Sequence, residues 1–299
     1  MNHQKMYLLL GILILLVSCE PATDDAVQNP QMDIPEEYKI GGMAVGLQSY
    51  TFNRFTVMEA IEKTARAGGK VIELYPGQRL SPDRPDDIFD QNASDEDIAK
   101  VRAKMDEHDI LPVNFGVVSL PNNEEDVQTV FEFAQKLGVQ SVTSEPSVEA
   151  LDLIEQFVQE YDIMVAIHNH PEGWGPEGYR LWDPEYVLSI VEDRDSRIGA
   201  SADIGHWIRS NIAPIDGLRI LEGRLISVHF TDVDKFGSDG EDIVMGKGVG
   251  DIVGVLDELN RQNFGGHLSI EYETNWYENV TDVAQNIGFV RGWANSRKR

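Results

Sequence analysis

Eight short apolar runs, most of them rich in β-branched residues, recur along the chain: Met43–Gln48, Lys70–Leu74, Leu111–Val118, Val139–Thr143, Ile163–Ile167, Ile198–Ala202, Leu225–Phe230 and His267–Ile270. Amphipathic stretches of helical period separate them: Val57–Ala65, Asp95–His108, Glu124–Leu137, Val148–Tyr161, Pro184–Val191, Ile215–Leu221, Ile252–Asn263 and Val280–Trp293. A strand buried on both faces reads as a near-continuous apolar run, and a helix laid over it shows one apolar stripe. Eight such units in residues 41–299 match the count and the roughly 250-residue length of a (β/α)8 barrel. A doubly wound open sheet would carry a glycine-rich turn after its first strand. This chain continues instead as Ser49-Tyr50-Thr51-Phe52-Asn53. The expected fold is therefore α/β, a single (β/α)8 TIM barrel over 41–299.

The first residues follow another logic. Lys5 precedes an apolar core from Leu8 to Val17, short for a bilayer span, and the run ends in Leu16-Val17-Ser18-Cys19. This resembles a bacterial lipoprotein signal peptide over residues 1–18, which would make Cys19 the acylated first residue of the mature chain. The expected location is then exported and membrane-anchored through that lipid, on the periplasmic or cell-surface side. Cys19 is the only cysteine, so no disulfide can form within the chain. Residues 19–40, with Pro21, Pro30 and Pro35 among polar side chains, read as a flexible tether.

Charge narrows the partners. Lys and Arg number 25 against 51 Asp and Glu, for a net charge of −26. A surface so acidic repels phosphate backbones, and no nucleic-acid partner is expected.

In a barrel the carboxyl ends of the strands form the reactive face. The polar residues at those ends are Gln48, Glu73, Asn114, Glu145, His168, His170, Asp203, His206, His229 and Glu271. Each alone has an ordinary structural reading, as a cap or a satisfied core residue. Together they are a nitrogen and oxygen donor set of the kind that holds a divalent transition metal such as Mn, Co or Zn.

Three stretches carry a closer likeness: Asp203-Ile204-Gly205-His206, His229-Phe230-Thr231-Asp232 and Ile270-Glu271-Tyr272-Glu273. With Gly246-Lys247-Gly248-Val249-Gly250-Asp251, which is similar to a Gly-x-Gly-x-x-Asp stretch, their order and spacing resemble the sugar-phosphate isomerase/epimerase group of the xylose-isomerase-like barrels, relatives of endonuclease IV. The resemblance covers about residues 43 to 295. It implies metal ligation by Asp203, His229 and Glu271. The family's fourth ligand is a glutamate on the fifth strand, and this chain has His168 there. Glu145 is expected to complete the metal set, with His168 beside or among the ligands. Glu271 would be one acid/base; Glu145, His168 or His170 would be the other. His206, Lys235, Trp174, Trp207 and Glu73 are expected to meet substrate. Trp182 and Trp276 lie in or beside the same loops. Lys247 sits between glycines in what reads as a structural turn.

The resemblance implies a metal-dependent sugar isomerase or epimerase moving a proton alpha to a carbonyl through an enediolate. A lyase cleaving 3-keto glycosides by beta-elimination would use the same site. A sugar-binding lipoprotein without catalysis is the reading from a different class, and it would have no use for a complete ligand set. Endonuclease chemistry fits poorly with so acidic a chain.

Overall fold

A computed structural model of the protein describes residues 28–297. The signal-like stretch and Cys19 lie outside those residues. Eight parallel strands form the barrel: β1 Met43–Gln48, β2 Val71–Leu74, β3 Leu111–Phe115, β4 Ser141–Ser144, β5 Met164–His168, β6 Ile198–Asp203, β7 Leu225–Phe230 and β8 His267–Ile270. Each pairs with its neighbours in chain order, and β8 pairs back onto β1 with His267 opposite Ala44. The sheet is closed and has no open edge.

The outer helices are α1 Val57–Ala67, α2 Asp95–Glu107, α3 Glu124–Leu137, α4 Leu151–Tyr161, α5 Pro184–Val191, α6 Pro214–Ile220, α7 Ile252–Arg261 and α8 Val280–Ser296. Their limits have local causes. Thr56 and Glu59 form a reciprocal capping box at the start of α1, which satisfies two otherwise unpaired N–H groups. The α3 helix starts on the Asn123 cap and ends at Gly138, whose φ of 86° only glycine adopts cheaply. Between the sheet and the helices lies the main core, filled by Leu47, Ile72, Leu74, Phe115, Val165 and Phe230 among others.

Not every element was legible in the apolar pattern. An antiparallel hairpin, Gln78–Ser81 with Arg84–Phe89, follows β2; its second strand is mostly exposed, so it lacks the apolar run of a barrel strand. A short helix, Ile204–Arg209, begins directly on the last residue of β6, whose side chain caps it.

The expected tether is packed from residue 28 onward. Asn29 accepts the backbone N–H groups of Gly223 and Leu225. The Met32 N–H bonds to the Gly265 carbonyl at 3.0 Å. Met32 and Ile34 are buried against Ala44, Val71, Val113, Met164, Ala166 and Ile226. Lys39–Ile40 pairs antiparallel with the start of β1. Proline-rich composition suggested a solvated linker, but two apolar side chains in it close the amino-terminal mouth of the barrel.

Candidate metal centre

The parallel register brings the strand-terminal residues to one rim. His229 lies level with Asp203, Gln48 with Glu73, and Glu73 with Asn114. The period-2 alternation of a strand puts Ser201, Ser227 and Ser269 on the same face as Asp203, His229 and Glu271, one layer below. These small, buried residues leave space inside the barrel for the rings and carboxylates above them.

Four donor atoms converge there, one each from His168, Asp203, His229 and Glu271, all within 4.8 Å of one another. His168 Nε2 is 3.7 Å from Asp203 Oδ2, and His229 Nδ1 is 3.8 Å from the same oxygen and 2.8 Å from Glu271 Oε2. Both nitrogens are buried, and neither makes a hydrogen bond. Their nearest oxygens lie outside hydrogen-bonding geometry. Two imidazole nitrogens and two carboxylate oxygens, turned toward a common point but not bonded to each other, fit a divalent ion that takes mixed N and O ligands.

The other nitrogen of each imidazole is held from behind. His168 Nδ1 lies 2.7 Å from Glu145 Oε1. His229 Nε2 lies 3.1 Å from both oxygens of Glu73. Glu145 therefore stands on the far side of His168 rather than within the four-donor group, where the sequence reading placed it. Glu73, expected to meet substrate, is fully buried beneath His229 and bonds inward to His267 as well.

Burial opposes charge on His168, yet the Asp203 carboxylate beside it and the bond to Glu145 outweigh it and lift the ring to about 9. Burial likewise opposes ionised Glu145, and His168 and His170 bring it down to about 2. His206 behaves oppositely: burial holds it down to about 3 against the pull of Asp203, and His168 and His170 add to the effect. It is a neutral ring beside a charged carboxylate.

The rim opens into a cavity of about 590 Å³. His168, His170, His206 and Glu271 line it, so it reaches the four-donor group. His170 is stacked between Trp174 (centroids 4.7 Å apart, planes 8° from parallel) and His206 (5.1 Å, 25°). Its Nδ1 lies 2.6 Å from Glu145 Oε1. Trp174 is 57% exposed at the mouth. Tyr50 and Tyr75, packed edge to face, form further lining.

Other expected substrate residues lie elsewhere. Trp207 is 1% exposed. On the helix Ile204–Arg209 it turns inward, against Gly217 of α6, while His206 and Arg209 line the cavity. Lys235 points to solvent and pairs with Asp239 at 2.8 Å. Trp182 and Trp276 are not among the lining residues, although Trp276 packs edge to face on Tyr50. Tyr50, Tyr75, Arg209, Ser238 and Glu273 line the cavity and escaped the sequence reading. Arg209 had a signal: it follows His206 by three, the spacing of one helix face. Asn169, between the two histidines, ties β5 to β6 by bonding both the N–H and the carbonyl of Asp203 at 2.9 and 3.0 Å.

The glycine turn is structural. Asp232 accepts the N–H groups of Gly246, Gly248 and Gly250 at 2.9, 2.9 and 3.0 Å. Those donors are spent on a carboxylate of the chain itself and are not free for a phosphate.

Comparisons with known proteins agree with this architecture. The sequence profile of the xylose isomerase-like TIM barrel family matches residues 61–293. A protein of Methanocaldococcus jannaschii, MJ1311, is 32% identical over 125 residues, 40% of this chain and about two fifths (41%) of that relative's length. A solved structure from Parabacteroides distasonis has 32% identity, a TM-score of 0.67, and a match over 84% of this chain and 99% of that one. A D-tagatose 3-epimerase-like protein has 21% identity over 85% of this chain and 99% of its own, with a TM-score of 0.65. A D-psicose 3-epimerase solved in the presence of D-fructose has 15% identity over 85% and 98%, with a TM-score of 0.61. At the last two identities the likeness is one of fold.

Proposed function

The chain belongs to the xylose isomerase-like TIM barrel family, and from that premise we propose that it is a divalent-metal-dependent enzyme that moves a proton alpha to the carbonyl of an uncharged sugar. The observation that carries the reading is the convergence of His168, Asp203, His229 and Glu271 within 4.8 Å at the floor of a cavity. Solved relatives of the same fold are described as D-tagatose 3-epimerase-like and as a D-psicose 3-epimerase.

His168, Asp203, His229 and Glu271 would hold the ion, and Glu145 would orient His168 from behind. When bound, a divalent ion such as Mn, Co or Zn supplies Lewis-acid polarisation of a sugar carbonyl. Glu271 lines the cavity and takes or returns one proton. The second carrier must be another group, because both nitrogens of His168 are committed, one to Glu145 and one to the donor cluster. Glu145 in turn is engaged by two imidazoles. His170 remains: it lines the cavity three strands around the rim from Glu271, and Glu145 fixes its ring. Neutral His206 donates to, or accepts from, a sugar hydroxyl.

The charge of the cavity favours an uncharged substrate. Among the described residues that line it, Arg209 is the one Lys or Arg. It is already paired with Asp242 and bonded to the Gly240 carbonyl. Glu271 and Glu273 share the wall, so a sugar phosphate would meet net repulsion.

Beta-elimination from a keto-glycoside is a second reading, and one observation favours it. The cavity extends past the donor cluster to Trp174 and Tyr50, whose rings give a further substituent an aromatic surface.

The test is turnover of sugars, keto-sugars and glycosides by protein loaded with Mn, Co or Zn in D2O. Deuterium uptake without bond cleavage supports proton transfer alone, and release of an aglycone supports elimination. Glu271→Gln is expected to abolish either. Binding of sugar with neither metal nor turnover would contradict both enzyme readings.

A further inference from the structure

The two imidazoles of the donor cluster are backed in the same way but to different depths. Glu145, behind His168, is part-buried and is shared with His170 of the cavity wall. Glu73, behind His229, is fully buried, does not line the cavity, and is shared with His267, which is also fully buried. His267 comes from the first residue of β8 and reaches Glu73 through Nε2 at 3.4 Å. The three residues stand on β7, β2 and β8, so the unit ties together strands from across the barrel seam.

We propose that Glu73, braced by His267, is a positioning residue for the metal: it fixes the tautomer and ring angle of His229 and thereby sets how tightly the site binds a divalent ion. This rests on the ligand assignment above. The geometry carries it. Nε2 of His229 sits at equal distances of 3.1 and 3.1 Å from the two Glu73 oxygens, which accept and do not donate. Nε2 therefore carries a ring hydrogen, which leaves Nδ1 as the nitrogen that would ligate the ion. Without Glu73 the ring is free to exchange its tautomers and to turn about its bond to Cβ. Each motion takes a donor away from the ion. Carboxylates behind ligating histidines commonly contribute about 10–100-fold to metal affinity.

The experiment is a competition titration of metal-free protein with Co2+ against a chromophoric chelator, with the visible d–d spectrum recorded at saturation. Glu73→Gln is expected to weaken Co2+ by about 10–100-fold and to change the d–d bands, with the far-UV circular dichroism of the native fold. Should that variant not fold, His267→Phe keeps a ring of similar volume and removes the brace; a smaller loss in the same direction is expected. A variant that melts at a lower temperature but binds Co2+ with wild-type affinity and spectrum makes Glu73 a core residue only and overturns the proposal. Wild-type protein that takes up no Co2+ overturns the ligand assignment itself, and with it this inference; the two failures are told apart by the wild-type titration.

Discussion

Glu145 Oε1 lies 2.7 Å from Nδ1 of His168, while the other nitrogen of that ring faces Asp203 Oδ2 at 3.7 Å. The carboxylate and the donor cluster thus share the imidazole from opposite edges. Glu145→Gln is expected to loosen His168 and to release His170, with metal affinity falling about 10–100-fold and turnover falling further, because two rings are affected. Asp203→Asn should lower affinity without disturbing His170. Equal affinity and turnover in Glu145→Gln and wild type would remove Glu145 from this role.

The metal-free protein should lose stability in alkali. His168 is raised from 6.5 to about 9, so the stabilisation it gives is complete below pH 6.5 and is lost as pH climbs through about 9. Glu145 is lowered from 4.5 to about 2, so its share is complete above pH 4.5 and is lost as pH falls toward 2. A divalent ion replaces the proton on His168. Melting temperature measured from pH 6 to 9.5 should fall in metal-free protein and fall much less in loaded protein. A flat metal-free profile would contradict the pairing.

Two tryptophans close in sequence to the site should behave oppositely. Trp207 is 1% exposed, and Trp207→Ala should cost about 3–5 kcal/mol of stability. Trp174 is 57% exposed and stacked on His170; Trp174→Ala should leave stability within about 1 kcal/mol but raise KM. Chemical denaturation and steady-state kinetics on the pair separate a core residue from a cavity wall.

Ile34 tests the amino-terminal plug. It is 4% exposed beneath the barrel, far from the rim that carries the donors. Ile34→Ala is expected to destabilise by about 2–5 kcal/mol with unchanged Co2+ affinity. No change in stability would return this segment to a tether.

Much of the barrel was readable because parallel strands buried on both faces leave continuous apolar runs: β1, β7 and β8 coincide with the runs Met43–Gln48, Leu225–Phe230 and His267–Ile270. The convergence of His168, Asp203, His229 and Glu271 was readable in part, since a barrel brings all strand ends together. Which nitrogen of His168 faces which carboxylate was not, because that depends on ring rotation and on the reach of Glu145 from the next strand. Glu73 was misplaced for a related reason: its carboxylate turns inward to His229 and His267, which depends on side-chain reach and not on its place in the strand. Trp207 misled because the chain turns from β6 directly into a helix, whose period reverses the faces a loop would present. Met32 and Ile34 were hidden by the prolines around them.

The most direct measurement is the metal content of the purified, reloaded protein by inductively coupled plasma mass spectrometry, for wild type and for the double variant Asp203→Asn, His229→Gln. About one divalent ion per chain, lost in the double variant, is the expected result. No tightly held ion in wild type, or the same content in the variant, would contradict the account.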